Sequence, residues 1–325
     1  MRIVYATYPW AFETPGGGEI QLLKYEQYLL NAGADVVRHD PWRGDLDKAD
    51  IFHFFSCMGG SVHLCNYAKA RGIPLVISAS LWLTEETKHL YPIAEIAAQL
   101  SLADAIVTNG DVESDRISTI LGLSRERFHT VRNACDPWFG EPVEPGLFRS
   151  AFEVDGPFVL NVGNIEPRKN QLALIRASKR AGKPLILFGH IRDAEYGEAC
   201  LAEAGPNVRH LGALDHNSPL LRSAYAACEV FCLPSTLETP GLAALEASAA
   251  GARLVVTGEG STREYFGDHA LYVDSDDVEG IAVALIKAAE TPPSEQLRRH
   301  VNKNFTWNRA IEPLLELYHR LAAAR

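Results

Sequence analysis

The chain has 325 residues, of which 47% are hydrophobic and 22% charged, and its formal net charge is −10. That length exceeds one ordinary core and suits two domains of about 150 residues each, in a soluble globular class. The acidic balance argues against a nucleic-acid partner, the first half lacks a polybasic patch for anionic lipid, and no apolar run approaches the roughly 18 residues of a membrane span.

The first half alternates short β-rich runs with helical patterns. Strands are predicted at 3–6, 35–38, 51–55, 75–78, 105–108 and 129–131. Between them, helices fit 20–31, 61–71, 92–103 and 112–121, the first with a regular apolar stripe and Gly33 just past its end. Such alternation implies a parallel sheet covered on both faces. The run 3–6 soon meets Pro9, so it reads as a strand and not as a secretory leader, and a cytoplasmic location is expected.

Before the first helix stands Thr14-Pro15-Gly16-Gly17-Gly18-Glu19, a glycine loop that could bring backbone close to a ligand. It lacks the Gly-x-Gly-x-x-Gly dinucleotide pattern, and a flexible surface loop is an equal alternative. The stretch 141–146 carries Pro142, Pro145 and Gly146 and is the expected linker.

A second α/β series follows, with strands predicted at 158–162, 185–188, 208–211, 230–233, 254–257 and 271–273, and helices at about 170–181, 218–227, 241–250, 278–289 and 308–323. Six scattered cysteines form no Cys-x-x-Cys pair and read as reduced core residues. No His pair at metal spacing is present, so no metal ligand and no bound cofactor is expected.

The stretch from Pro234 to Glu246 joins a buried strand to a run of strong helix formers. At such a junction the first helical N–H groups lack intrahelical partners and the dipole favours an anion, so backbone alone can hold a phosphate. Gly241 keeps that backbone uncovered, and Glu238 and Glu246 place two carboxylates at different depths. The plain alternative is a solvated loop glutamate and a solvated helix glutamate.

Several landmarks arrive in one order. Gly16-Gly17-Gly18-Glu19, Asp50-Ile-Phe-His53, Val131-Arg-Asn-Ala-Cys-Asp136, Val162-Gly-Asn-Ile-Glu-Pro-Arg-Lys-Asn170, the Glu238 to Glu246 pair and Phe305-Thr-Trp307 together resemble the family-4 retaining glycosyltransferases of the GT-B fold. The resemblance spans nearly the whole chain. It implies an α/β protein of two Rossmann-like doubly wound domains facing across a cleft: 1–145 on the acceptor side, 146–305 for the nucleotide-sugar, and a 306–325 helix crossing back to the first domain.

It further implies metal-independent, retaining transfer of a sugar from a nucleoside diphosphate, UDP or GDP, to a hydroxyl acceptor. Polysaccharide, glycoconjugate or natural-product glycoside synthesis is the implied setting. By resemblance Arg168 and Lys169 hold the diphosphate, Glu238 with Thr239, Pro240, Gly241 and Leu242 holds the sugar and its phosphate, Glu246 takes the ribose hydroxyls, and Gly16 and Gly17 complete the cradle. Neutralising leaving-phosphate charge is what such cations are for. The chain departs from the family pattern twice. Asn164 stands where many members have Arg, and Ser78-Ala-Ser80-Leu-Trp82 lacks the usual acceptor-side His.

The acceptor side therefore stays unassigned. His53 is a candidate there, against the favoured reading of a strand-end histidine satisfied by backbone. The rival classes are a nucleotide-sugar epimerase of related architecture and a non-catalytic nucleotide-sugar-binding protein.

Overall fold

The computed structural model describes every residue except Thr14, Asp45, Ser294 and Arg325. Thr14, quoted with the glycine loop, thus lies outside the described residues. The chain divides into two compact units, Met1–Asn133 with Trp307–Arg325, and Ala134–Thr306. The expected linker at 141–146 instead falls inside the second unit, where it leads into a helix at Gly146–Phe152. Phe148 of that helix is fully buried against Phe158 and Phe188, which explains why the segment is core and not tether.

In the first unit six strands, β1 (Arg2–Thr7), β2 (Asp35–Arg38), β3 (Ile51–Phe55), β4 (Leu75–Ser78), β5 (Ala105–Thr108) and β6 (Phe128–Thr130), form one parallel sheet in the order β2-β1-β3-β4-β5-β6. Every residue of β3, β4 and β5 is buried, as a strand covered on both faces requires. Each fully buried Leu, Ile, Val or Phe contributes about 1.5–3 kcal/mol of transfer free energy. The helix Gly17–Asn31 follows β1, starting three positions before the predicted residue 20 because Gly16 caps it and Glu19 accepts the Gly16 N–H at 2.7 Å.

The helix Trp307–Ala323 also belongs to this unit. Its Trp307 packs edge-on against Tyr25, and its Tyr318 hydroxyl lies 3.0 Å from the Tyr5 hydroxyl and 2.5 Å from His53 Nδ1. His53 sits in the middle of β3, fully buried, and its other ring nitrogen lies 2.9 Å from Ser78 Oγ. Burial pushes its pKa down to about 3. Two hydroxyls, not backbone, thus satisfy this histidine. It is buried beyond the reach of an acceptor.

The second unit repeats the plan with β7 (Val159–Val162), β8 (Leu185–Phe188), β9 (Val208–His210), β10 (Val230–Leu233), β11 (Arg253–Thr257) and β12 (Leu271–Val273), all parallel, in the order β12-β11-β10-β7-β8-β9. Four helices lie outside the predicted set: Gly146–Phe152, Ala194–Glu203, Thr262–Phe266 and Glu295–Asn304. All six cysteines are buried and free. Burial pushes the Cys57 and Cys228 thiols up to about 12, so neither is a thiolate near neutral pH.

Candidate active site of the second unit

In the second sheet the chain runs outward from β7 in both directions, to β8 and β9 on one side and to β10, β11 and β12 on the other. The crevice outside the carboxyl ends of β7 and β10 is therefore the topological switch point, where open α/β sheets bind ligands. The loops that leave these two strands carry the residues singled out from the sequence.

After β7, Gly163 and Asn164 lead through Glu166 into a single 3-10 turn, Pro167–Lys169. Asn170 closes that turn with a left-handed backbone, φ 58°, and its side-chain amide donates to Pro234 O at 3.0 Å and Ser275 O at 2.8 Å. One asparagine thereby ties together the loops that follow β7, β10 and β12. Thr236 N–H donates to Arg168 O at 2.9 Å and locks the same pair of loops from the other strand.

Glu238 is buried with only 4% exposure. Its Oε1 accepts from Lys169 Nζ at 2.6 Å and Ser235 Oγ at 2.6 Å, with Arg168 Nη1 at 3.6 Å. Burial pushes its pKa up, but the charges of Lys169 and Arg168 and the hydrogen bonds outweigh that and hold the carboxyl below its ordinary range. Arg168 is the exposed member. It donates to Leu237 O at 3.2 Å and to Glu166 Oε1 at 3.1 Å, and Glu166 Oε2 in turn faces Arg192 at 3.3 Å. Three cations and two carboxylates thus alternate around the crevice, with the arginines on its more exposed side.

The backbone of Glu238 is fixed just as firmly. Its N–H donates to Glu259 O, and its carbonyl accepts from Ser261 N–H at 2.9 Å. A Cβ on Gly260 would lie 1.9 Å from that carbonyl oxygen, so only glycine permits this approach. The Thr239–Pro240 peptide is cis, and Gly241, with φ 86°, caps the helix Leu242–Ala250, one residue later than the predicted start. A Cβ there would meet Leu233 Cδ2 at 2.7 Å and Glu238 Oε2 at 3.1 Å.

Glu246, in the second turn of that helix, is equally buried. Its Oε2 accepts from the Tyr225 hydroxyl at 2.7 Å, and Oε1 lies 3.4 Å from His216 Nδ1, whose Nε2 is 3.3 Å from Asp136 Oδ2. Neither glutamate is solvated. The structure brings Glu238, Arg168 and Lys169 into direct contact and sets Glu246 in a separate cluster on the same helix-bearing loop. Gly16 and Gly17 belong to the other unit, where they open the helix Gly17–Asn31.

Sequence reasoning assigned no site role to Glu166, Asn170, Arg192, Tyr225 or His216. Glu166 and Asn170 stand inside the motif quoted above. His216 and Tyr225 carry no local signal, because their link to Glu246 arises only on folding. One further signal was legible: Gly163, Gly189 and Gly212 each directly follow or nearly follow a strand of this sheet. A Cβ on Gly189 would lie 1.9 Å from Gly163 O, so only glycine lets the loops after β7 and β8 approach this closely. Among the described residues no group of three or more His, Cys, Asp or Glu side chains is arranged to hold a metal, and no helix is long and apolar enough to cross a membrane.

Residues 147–306, which include this crevice, match the family described as glycosyl transferases group 1. The second unit carries that family match, and the chain has the GT-B fold. Over 240 residues the chain is 28% identical to the O-antigen chain mannosyltransferase B of Escherichia coli, a match that spans 68% of this chain and 62% of that protein. It is 25% identical over 288 residues to the α-maltose-1-phosphate synthase of Mycolicibacterium smegmatis, covering 78% and 74% of the two chains. Among solved structures, sucrose-phosphate synthase from Thermosynechococcus elongatus superposes with a TM-score of 0.77 over the full length of both chains at 17% identity. HepE of Anabaena, solved with UDP, gives 0.76 at 16% identity over 98% of this chain and all of that one. These last two likenesses concern the fold, two Rossmann-like doubly wound domains.

Proposed function

We propose that this chain is a glycosyltransferase that moves a sugar from a nucleoside-diphosphate donor, UDP- or GDP-linked, to a hydroxyl acceptor with retention at the anomeric carbon. The observation that carries this reading is the contact of Lys169 and Arg168 with Glu238 at the switch point of β7 and β10. Two cations beside a helix N-terminus suit a diphosphate, whose charge grows as the glycosidic bond breaks. The HepE structures with UDP and with UDP-glucose support the donor class.

In this reading Arg168 swings from Glu166 and Leu237 O to the phosphates, and Lys169 neutralises the departing diphosphate from its more buried place. Glu238, held ionised, faces the sugar together with the backbone of Thr239, Pro240, Gly241 and Leu242, and Asn164 lies beside the phosphates. Glu246 takes the ribose hydroxyls. With front-face attack the departing diphosphate accepts the acceptor's proton, so no side-chain nucleophile is required.

Transfer assays with UDP-, GDP- and ADP-sugars against a hydroxyl acceptor panel test the reading, with the product's anomeric configuration read by NMR. An inverted product would overturn retention, and turnover without any acceptor would point to the epimerase class. Activity is expected to persist in excess EDTA; loss restored by magnesium or manganese would overturn metal independence.

A further inference from the structure

Three loops of the second unit set a histidine between two buried carboxylates. His216 stands in the turn at 215–218, between β9 and the helix Pro219–Ala227. Ser218 N–H donates there to Asp215 O at 2.9 Å, Asn217 N–H donates to Asp215 Oδ1 at 2.8 Å, and Ser218 Oγ accepts from Leu220 N–H at 3.2 Å, so the turn is fixed. Asp136 comes from the segment that enters the 3-10 turn Pro137–Gly140, and Glu246 from the helix after β10. The Asp136 and Glu246 side chains are 7% and 5% exposed, that of His216 26%. Phe139 packs edge-on against both the His216 ring, at 5.7 Å, and the Tyr225 ring, at 5.8 Å.

Each ring nitrogen of His216 faces a carboxylate oxygen, Nε2 toward Asp136 and Nδ1 toward Glu246. A neutral imidazole has one N–H and one lone pair, so in that form one nitrogen turns a lone pair on a carboxylate; only the imidazolium donates on both sides. The Tyr225 hydroxyl holds the other Glu246 oxygen, and burial, then the Glu246 charge, push it well above the usual tyrosine range. Burial, then Glu246 and Asp136, do the same to the Cys135 thiol. Both therefore keep their protons near neutral pH, and the cluster titrates through His216 and its two carboxylates. The cations on the neighbouring elements point elsewhere: Arg222 lies over the Trp138 ring and donates to Glu141 O and Pro142 O, and Arg298 donates to Gly140 O. Gripped at both oxygens, the Glu246 carboxylate has a fixed plane, and the grip at Oε1 depends on a proton that the partly exposed ring exchanges with solvent.

We propose that His216, as an imidazolium set between Asp136 and Glu246, is the positioning residue that aligns the Glu246 carboxylate with the ribose hydroxyls of the donor. Loss of the ring proton turns a lone pair on one carboxylate and loosens that alignment, so selection for ribose is strong at low pH and fades as pH rises. The inference rests on the reading that Glu246 takes the ribose hydroxyls, and it adds how that contact is held and switched.

The test uses the full chain and calorimetric binding of UDP, GDP and their 2′-deoxy counterparts from about pH 5.5 to about pH 9.5. The readout is the ratio of the deoxy Kd to the ribo Kd, in which phosphate titration and every effect common to both nucleotides cancel. In the unaltered protein the better-bound base is expected to show a ribose preference of about ten-fold or more at the acid end, falling to about three-fold or less at the alkaline end. His216→Gln, checked for folding by its thermal melt, should hold the lower value at every pH. Asp136→Asn removes one of the charges that favour the imidazolium, so the preference should fade at a lower pH. In Glu246→Gln the preference is already lost, and adding His216→Gln should change it no further.

A histidine that serves structure alone would weaken ribo and deoxy nucleotides alike and leave the ratio unmoved. An unmoved ratio in His216→Gln, a preference constant across the pH range in the unaltered protein, or a further loss when His216→Gln is added to Glu246→Gln overturns the proposal. The pH series on the unaltered chain needs no variant, so it decides the matter even where His216→Gln does not fold. If neither UDP nor GDP binds the unaltered protein at any pH, the donor reading fails and this inference with it; if one binds with a ribose preference indifferent to His216, only this inference falls.

Discussion

Lys169 Nζ lies 2.6 Å from Glu238 Oε1, and both groups are largely withdrawn from solvent at the mouth of β7 and β10. An ion pair in such a place is held by mutual need, because without Lys169 the buried Glu238 carboxylate keeps only the more distant Arg168 and the Ser235 hydroxyl. Lys169→Met should therefore cost about 3 kcal/mol of stability, and adding Glu238→Gln should recover much of it. Urea unfolding of the two single variants and the double variant checks this. Additive losses would mean that the pair is not coupled.

The two glutamates should fail in different ways. Glu238→Gln is expected to lower kcat by roughly ten-fold or more, because in the proposed reading its partner is the sugar that changes during transfer. Glu246→Gln removes a charge-assisted bond to donor present in ground and transition states alike, worth roughly 1.5–3 kcal/mol, so donor KM should rise with kcat little altered. His216→Ala should push KM the same way by less, since it frees the Glu246 carboxylate on one side only. Steady-state kinetics on the three variants decide it. A reversed split would place the donor the other way round.

Gly260→Ala tests how tightly the Glu238 backbone is specified. The new methyl would collide with Glu238 O at a residue whose φ is 99°. A stability loss of about 1–3 kcal/mol is expected, together with weaker donor binding as the Glu238 segment shifts. A variant with the unaltered protein's Tm and donor Kd would show that the segment relaxes freely.

His53 gives a pH dependence remote from the proposed chemistry. Burial lowers its pKa to about 3, while in the unfolded chain a histidine titrates near 6.5. Between those values the unfolded chain binds the proton and the folded one does not, so stability falls as pH drops below about 6.5 and continues to fall toward about 3, by up to about 1.4 kcal/mol per pH unit. His53→Gln should flatten that slope. Denaturation midpoints from pH 7 to pH 4 in both proteins provide the measurement.

Strands such as β3, β4, β8 and β10 were legible because a strand buried on both faces reads as an unbroken apolar run. The helix Glu295–Asn304 was not, for it buries only Leu297 and Val301, a single i,i+4 pair in a polar sequence. Ala194–Glu203 hid for a similar reason, with Gly197 and Cys200 as its buried residues. In the candidate site, Glu238, Lys169 and Arg168 could be named because each lies in a contiguous motif. His216 could not, since its approach to Glu246 and Asp136 joins positions 30 and 80 residues apart. That proximity is a product of folding, which no local pattern records.

Tyr318 on the helix Trp307–Ala323 closes its hydrogen bonds with Tyr5 and His53 only after residues 134–306 have been synthesised. On the ribosome the contacts of Tyr5, His53 and Tyr25 to that helix must therefore wait while the second unit emerges. Order of synthesis thus leaves the first sheet complete in its strands but without its last helix until the second unit has emerged. Of all stretches in this protein, the nascent 1–133 segment has the longest exposure to proteases and chaperones before its final helix arrives.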